Sequence, residues 1–190
     1  AKKATAITSH PNSRLAKVSD EIILLLSPNS DVFTAGSISF LESALTCISL
    51  VKKITIPKND TLFFKAKSDA KKAKISKRLF ILGNLYTYPL AMYCAAKFYE
   101  LLGYDTHYCK MEQFSHMELF SIKKGDTVII FEEKNFHNKQ LVKNLKKIGM
   151  NVIHHDVPSE KVSQMIYFTF FSQLISLNEA KKKQKNDCYF

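Results

Sequence analysis

The chain is poor in glycine and proline, with five of each among 190 residues, so few positions are set aside for tight turns and most of it is regular structure. It is also short of acidic residues: 17 Asp and Glu against 28 Lys and Arg leave a formal charge of +11. That excess suits a phosphorylated ligand, a nucleic acid or an acidic surface, and says nothing about fold. None of the four cysteines, Cys47, Cys94, Cys109 and Cys188, forms a C-x-x-C pair. Free thiols in a reducing cytoplasm are the simplest reading. No signal peptide is visible. The longest apolar stretch, 162–177, is interrupted by Ser163, Gln164, Thr169, Ser172 and Gln173, which makes it a buried helix and not a membrane span. The loop Gly83–Thr87 lacks the glycine density of a dinucleotide fingerprint, which argues against a nicotinamide cofactor. No metal-ligand spacing accompanies the pair His154-His155, and as adjacent strand residues they face opposite ways. Neither a metal nor an organic cofactor is expected.

What is present is a hydrophobic fraction of 46%, enough for a core, in an alternation of strand-like and helix-like segments. Short strands are expected at Ala4–Thr8 and Glu21–Leu26, then an amphipathic helix over Gly36–Lys52 with Ile38, Leu41, Leu45, Ile48 and Val51 on one face. Residues 57–77 are lysine-rich and carry breakers, which reads as a connector with a short helix near Thr61–Ala66. The grammar then repeats: strand Arg78–Leu82, helix Thr87–Leu102, strand Asp105–Cys109, a polar segment Met111–Phe120, strand Thr127–Phe131, helix Asn138–Ile148, strand Asn151–His155 and helix Ser159–Asn178. Strands separated by helices of this length imply an α/β protein of parallel sheets flanked by helices. The expected organisation is a partial first module at 1–56, the connector 57–77, a second module at 78–180 and a basic tail at 181–190. The first module has only a back half, so an upstream segment is expected to be missing. Ligands of such sheets sit at the carboxyl ends of the strands, the edge occupied by Thr8–Ser13, Gly83–Thr87 and Glu132–His137.

The helix Thr87–Leu102 is the most informative segment. Thr87 fits an N-cap, Pro89 the first turn, and Gly103 a stop. Tyr93, Lys97 and Glu100 fall at i, i+4 and i+7, so one stripe presents a phenol, a cation and a carboxylate. Such a stripe suits proton transfer on an anionic ligand. The same residues also fit a solvent-facing glutamate paired with a lysine that covers apolar surface. Backbone N–H groups at Gly83–Thr87 can hold an anion, and so can the helix start formed by Thr34, Ala35, Gly36 and Ser37. Hydroxyl residues at helix starts also serve as ordinary caps.

Two stretches carry a resemblance. One is Ala6-Ile7-Thr8-Ser9, Ser13-Arg14-Leu15-Ala16 and Ser19-Asp20, followed by Asp31 and Thr34-Ala35-Gly36-Ser37. The other is Leu82-Gly83, Tyr88-Pro89-Leu90-Ala91 and Ala95-Ala96-Lys97-Phe98-Tyr99-Glu100, with Glu112-Gln113-Phe114-Ser115-His116 downstream. Together they resemble the sugar isomerase (SIS) family, most closely the isomerase half of glucosamine–fructose-6-phosphate aminotransferase and archaeal sugar-phosphate deaminase and isomerase relatives. The resemblance implies an SIS-type, flavodoxin-like three-layer fold, here as one nearly complete module plus the back half of another. It also implies a sugar-phosphate ligand and a homodimer.

By that resemblance Glu100 shuttles a proton between C1 and C2, and His116 assists ring opening, commonly in a neighbouring subunit's site. Lys97 is an electrostatic helper, while Thr34, Ala35, Gly36, Ser37, Gly83 and Thr87 contact the ligand. The sequence departs from the family where its serine-rich phosphate loop would stand, at Tyr93 in place of a second glutamate, and at His116-Met117-Glu118 in place of H-G-P. The expected function is therefore a cytoplasmic isomerase or deaminase of a hexose or hexosamine 6-phosphate. One alternative is a sugar-phosphate sensor without turnover. A second is a basic nucleic-acid binder, against which stand the absence of a recognised module and aromatics that fall in apolar segments rather than among the lysines.

Overall fold

The computed structural model describes residues 3–26, 36–57 and 60–185. Two compact units divide the chain, Ala1–Thr55 and Ile56–Phe190.

The first unit opens with β1 (Thr5–Thr8), the single turn α1 (Arg14–Lys17) and β2 (Glu21–Leu24). The strands pair in parallel, Thr5 opposite Glu21 and Thr8 opposite Leu24, so a crossover must join them. Ser13 starts that crossover as N-cap of α1, its side chain accepting from the Ala16 N–H at 3.3 Å. The Ala4 N–H donates to Asp20 Oδ2 at 2.7 Å where the chain returns. Helix α2 (Ile38–Val51) follows, tied to the end of β2 by the Leu26 N–H donating to Glu42 at 2.8 Å. No residue of α2 is fully buried.

The second unit is built from α3 (Thr61–Lys72), β3 (Arg78–Leu82), α4 (Tyr88–Leu102), β4 (Asp105–Cys109), α5 (Met111–His116), β5 (Thr127–Ile130), α6 (Phe136–Lys147), β6 (Asn151–Ile153) and α7 (Lys161–Lys182). Its four strands form one parallel sheet in the order β4-β3-β5-β6. The inner strands β3 and β5 are apolar on both faces because both are covered. On one face Phe80, Leu82, Val128 and Ile130 form a core with Phe114 of α5, Leu145 of α6 and Met150. By strand alternation Leu79, Ile81 and Ile129 point to the other face. There α4 packs on β3, β4 and α7, and Phe131 stacks on Phe168 of α7 at 4.3 Å between ring centroids.

The lysine-rich segment 57–77 carries a longer helix than its composition suggests. Ala66, Ala70 and Ala73 are buried at i, i+4 and i+7, and these small side chains let α3 lie close against α7. Asp69 fastens the contact, accepting from the Tyr167 hydroxyl at 2.7 Å and from Lys65 Nζ at 3.1 Å. Helix α7 runs past the expected end at Asn178 to Lys182, so Lys181 and Lys182 belong to its last turn, where cations suit the helix dipole. Its buried hydroxyls are satisfied locally: Thr169 donates to the Met165 carbonyl and Ser172 to the Phe168 carbonyl. Among the described residues no helix is long and apolar enough to cross a membrane.

Two glycines are fixed by geometry. Gly103 ends α4 at φ +62°, the left-handed cap that L side chains disfavour. At Gly83 a Cβ would meet the Thr87 carbonyl oxygen at 2.6 Å, because the chain leaving β3 folds at once into a 3₁₀ turn over Leu85–Thr87.

Candidate functional site

The stripe expected on α4 does assemble. Lys97 is 3% exposed, with Nζ 2.8 Å from Glu100 Oε2 and 5.1 Å from the centroid of the Tyr93 ring. A lysine taken out of water needs compensation, and here one carboxylate and one aromatic face provide it. The phenol is held in turn, Tyr93 accepting from Gln173 Nε2 of α7 at 3.1 Å. Glu100 itself keeps 37% of its side chain in solvent. The arrangement therefore offers a carboxylate open to a ligand, beside a fixed cation able to steady a developing oxyanion.

Helix α4 runs back along the sheet from the carboxyl end of β3 to the amino end of β4. Glu100 lies in its last turn, about 18 Å from Tyr88 at 1.5 Å per residue. One hexose phosphate does not bridge those ends, so the structure does not bring Glu100 together with Gly83 and Thr87.

The Gly83–Thr87 loop is occupied from within. Glu132, two residues beyond the end of β5, places Oε1 2.8 Å from the Asn84 N–H and 2.6 Å from the Thr87 hydroxyl. Thr87 is fully buried, and its Oγ1 also accepts from the Asn84 N–H at 2.9 Å. It thus organises the 3₁₀ turn before α4 and makes no side-chain capping bond to the helix itself. The neighbouring Glu133 accepts from Gln164 Nε2 of α7, whose Oε1 accepts from the Tyr86 hydroxyl. Burial, followed by Glu132, Glu133 and Glu160, raises the Tyr86 pKa. An anion expected at this strand edge is thus supplied by the protein's own carboxylate. The sequence carried the signal in Phe131-Glu132-Glu133, an acidic pair straight after an apolar strand at the ligand edge.

His116 is exposed at the end of α5, beyond the carboxyl end of β4, whereas Glu100 precedes the amino end of that strand. Phe114 of α5 packs into the core on one face of the sheet and α4 lies on the other, so His116 and Glu100 are carried by helices on opposite faces. Gly36 and Ser37 precede α2, and the Ser37 side chain makes no capping bond to it. Thr34 and Ala35 lie outside the described residues.

The histidine pair diverges. His154 sets Nε2 2.9 Å from the Glu132 carbonyl, while His155 turns to Phe171 and lies 3.9 Å from Asp69. Burial depresses both imidazole pKa values. Cys94 and Cys109 are buried and their thiols pushed up to about 12, mainly by desolvation. Among the described residues no group of three or more His, Cys, Asp or Glu is placed to hold a metal ion.

No family model matches the chain, and no curated protein matches it in sequence. Solved structures do match. A glucosamine-6-phosphate deaminase from Thermotoga maritima superposes with a TM-score of 0.75 at 18% identity, over 94% of this chain and 61% of its own. The C-terminal domain of glucosamine-fructose-6-phosphate aminotransferase from Francisella tularensis gives 0.73 at 16% identity, over 98% and 65%. A tagatose-6-phosphate ketose/aldose isomerase from Escherichia coli gives 0.68 at 18% identity, over 92% and 60%. The chain thus spans 60–65% of the length of these structures. At such identities the likeness is one of fold, and it agrees with the resemblance carried by Leu82–Glu100: this chain has the fold of the sugar isomerase (SIS) phosphosugar isomerases and deaminases.

Proposed function

We propose that the chain acts on a hexose or hexosamine 6-phosphate by moving a proton between C1 and C2, as a homodimer in the cytoplasm. The observation that carries this reading is the buried Lys97 held 2.8 Å from a carboxylate that still reaches solvent. In the open-chain aldose, the Glu100 carboxylate takes the C2 proton. The C2–H electrons form the C1=C2 double bond, and the carbonyl pair moves to O1. Lys97 steadies that negative oxygen; a proton passes from O2 to O1, and Glu100 returns its proton to C1 as the O2 electron pair forms the C2 carbonyl, leaving a ketose. With an amino group at C2 the same transfer leaves a C2 imine, which water hydrolyses with release of ammonia.

His116, remote from Glu100 in its own chain, opens the sugar ring in the site of a second copy. By the family resemblance, Thr34, Ala35, Gly36 and Ser37 of the first unit contact the sugar phosphate. Thr87, bonded to Glu132, and Gly83, whose N–H donates to the Cys109 carbonyl, leave the binding set. The names of the matched structures, a glucosamine-6-phosphate deaminase and a tagatose-6-phosphate isomerase, support a phosphorylated sugar as substrate class.

A second reading, a sensor that binds without turnover, is favoured by Tyr93, which meets Lys97 with a ring where a second carboxylate is expected. Proton NMR of glucose 6-phosphate and glucosamine 6-phosphate in deuterium oxide separates the two. Deuterium entering C2 with the wild type and not with Glu100→Gln supports catalysis. Ligand-dependent protection against heat with no exchange in either sugar assigns the sensor role.

A further inference from the structure

On the face of the sheet opposite α4 lies a concavity of about 290 Å³ that the proposed chemistry leaves unused. Its lining is Lys134, Lys139, Val142, Lys146, Val152 and His154. Helix α6 supplies Lys139, Val142 and Lys146 at i, i+3 and i+7, one face of the helix. The edge strand β6 and its extension supply Val152 and His154, two residues apart and so on the same side. Lys134 enters from the loop between β5 and α6.

The charge of this hollow is not balanced from within. Lys134 pairs at 2.9 Å with Asp156, whose side chain is 80% exposed. Among the described residues Lys139 and Lys146 have no ion-pair partner. The nearby carboxylate, Glu132, is committed to Asn84 and Thr87. A lysine face meant only for solvation spreads its charges outward. Here three exposed lysines line one hollow with two valines, and a bound anion offsets their mutual repulsion.

We propose that this concavity is a second anion site, taking a small phosphorylated group such as a diphosphate or a compact phosphate monoester. Its volume falls at the lower limit of ligand pockets, too small for a dinucleotide. The three lysines supply point charges, and His154, whose Nε2 faces the Glu132 carbonyl, supplies Nδ1–H to an acceptor once it takes up a proton. Burial and the neighbouring Lys134 both lower the His154 pKa, so an arriving anion reverses the second influence.

Inorganic pyrophosphate is the probe, with calorimetry at physiological salt and NMR titration of the imidazoles. The site requires measurable binding, an upward move of the His154 titration midpoint, and a weakening of roughly a hundredfold in Lys139→Ala/Lys146→Ala, about tenfold per lost charged contact. The control Lys71→Ala/Lys72→Ala removes the same charge from α3 and keeps wild-type affinity. Absent binding, equal loss in both double variants, or an unmoved His154 overturns the proposal. It is likewise overturned if single-stranded polynucleotide binds through Lys139 and Lys146 while pyrophosphate does not. Thermal melts check that the variants remain folded.

Discussion

The two ends of α4 handle a carboxylate in opposite ways. At the first turn the half-buried Glu132 is enclosed by its hydrogen bonds, its oxygen shared by the Asn84 N–H and the buried Thr87 hydroxyl. At the last turn Glu100 meets a buried lysine yet keeps more than a third of its side chain in water. The enclosed acid fixes the strand-to-helix junction. The open acid is free to exchange a proton with a ligand. Position on the sheet edge does not by itself mark a binding loop. A loop whose donors are already taken by the protein's own anion is a joint, and a carboxylate that remains accessible beside a fixed cation is the better candidate for chemistry.

The largest effect should separate the ends by function. Glu100→Gln should lower C2 deuterium exchange by ~10²–10⁴ per folded molecule, read by NMR, and should also lower the melting temperature in circular dichroism, because the buried Lys97 loses its carboxylate. Unimpaired exchange in that variant would remove the distinction. Thr87→Val should act on stability alone. Loss of a fully buried hydroxyl leaves Glu132 and the Asn84 N–H short of a partner, costing about 1–3 kcal/mol in urea unfolding with little change in turnover per folded molecule.

Acid should loosen the enclosed end next. His154 faces the Glu132 carbonyl, Lys134 and Asp156; His155 faces Asp69, Lys65 and Lys134. Both imidazole pKa values are lowered on folding, so the unfolded chain binds more protons. Stability is then lost as pH falls below about 6.5, by no more than about 1.4 kcal/mol per pH unit for each histidine. Melts between pH 7.5 and 5.5 should show this slope, and His154→Gln should flatten it. The smallest effect is chemical. Cys94, midway along α4, and Cys109 are held as thiols, so iodoacetamide at pH 8 should label exposed Cys47 first and these two only after unfolding.

Much of the second unit was legible because its pattern is local. The Arg78–Leu82 and Asp105–Cys109 strands fall where they were expected, and α4 begins at Pro89's turn and stops at Gly103. The spacing of Tyr93, Lys97 and Glu100 sufficed to put them on one stripe. The lysine content of 57–77 concealed the second half of α3, beyond the short helix expected at Thr61–Ala66, since a helix that packs through alanines shows little hydrophobic pattern. Thr87 read as a cap because the Glu132 that claims it lies 45 residues downstream.

Periodicity, breakers and composition alone determined an α/β chain of parallel strands and the alignment of a phenol, an amine and an acid along one helix, because those features depend on neighbours within a few residues. Only the tertiary structure decided which acid is enclosed and which is open, that Lys97 is buried, and that three lysines and a histidine line one hollow with Val142 and Val152. Burial and convergence are set by which elements pack together, and that is a property of the sheet order β4-β3-β5-β6 and the helices laid on its two faces.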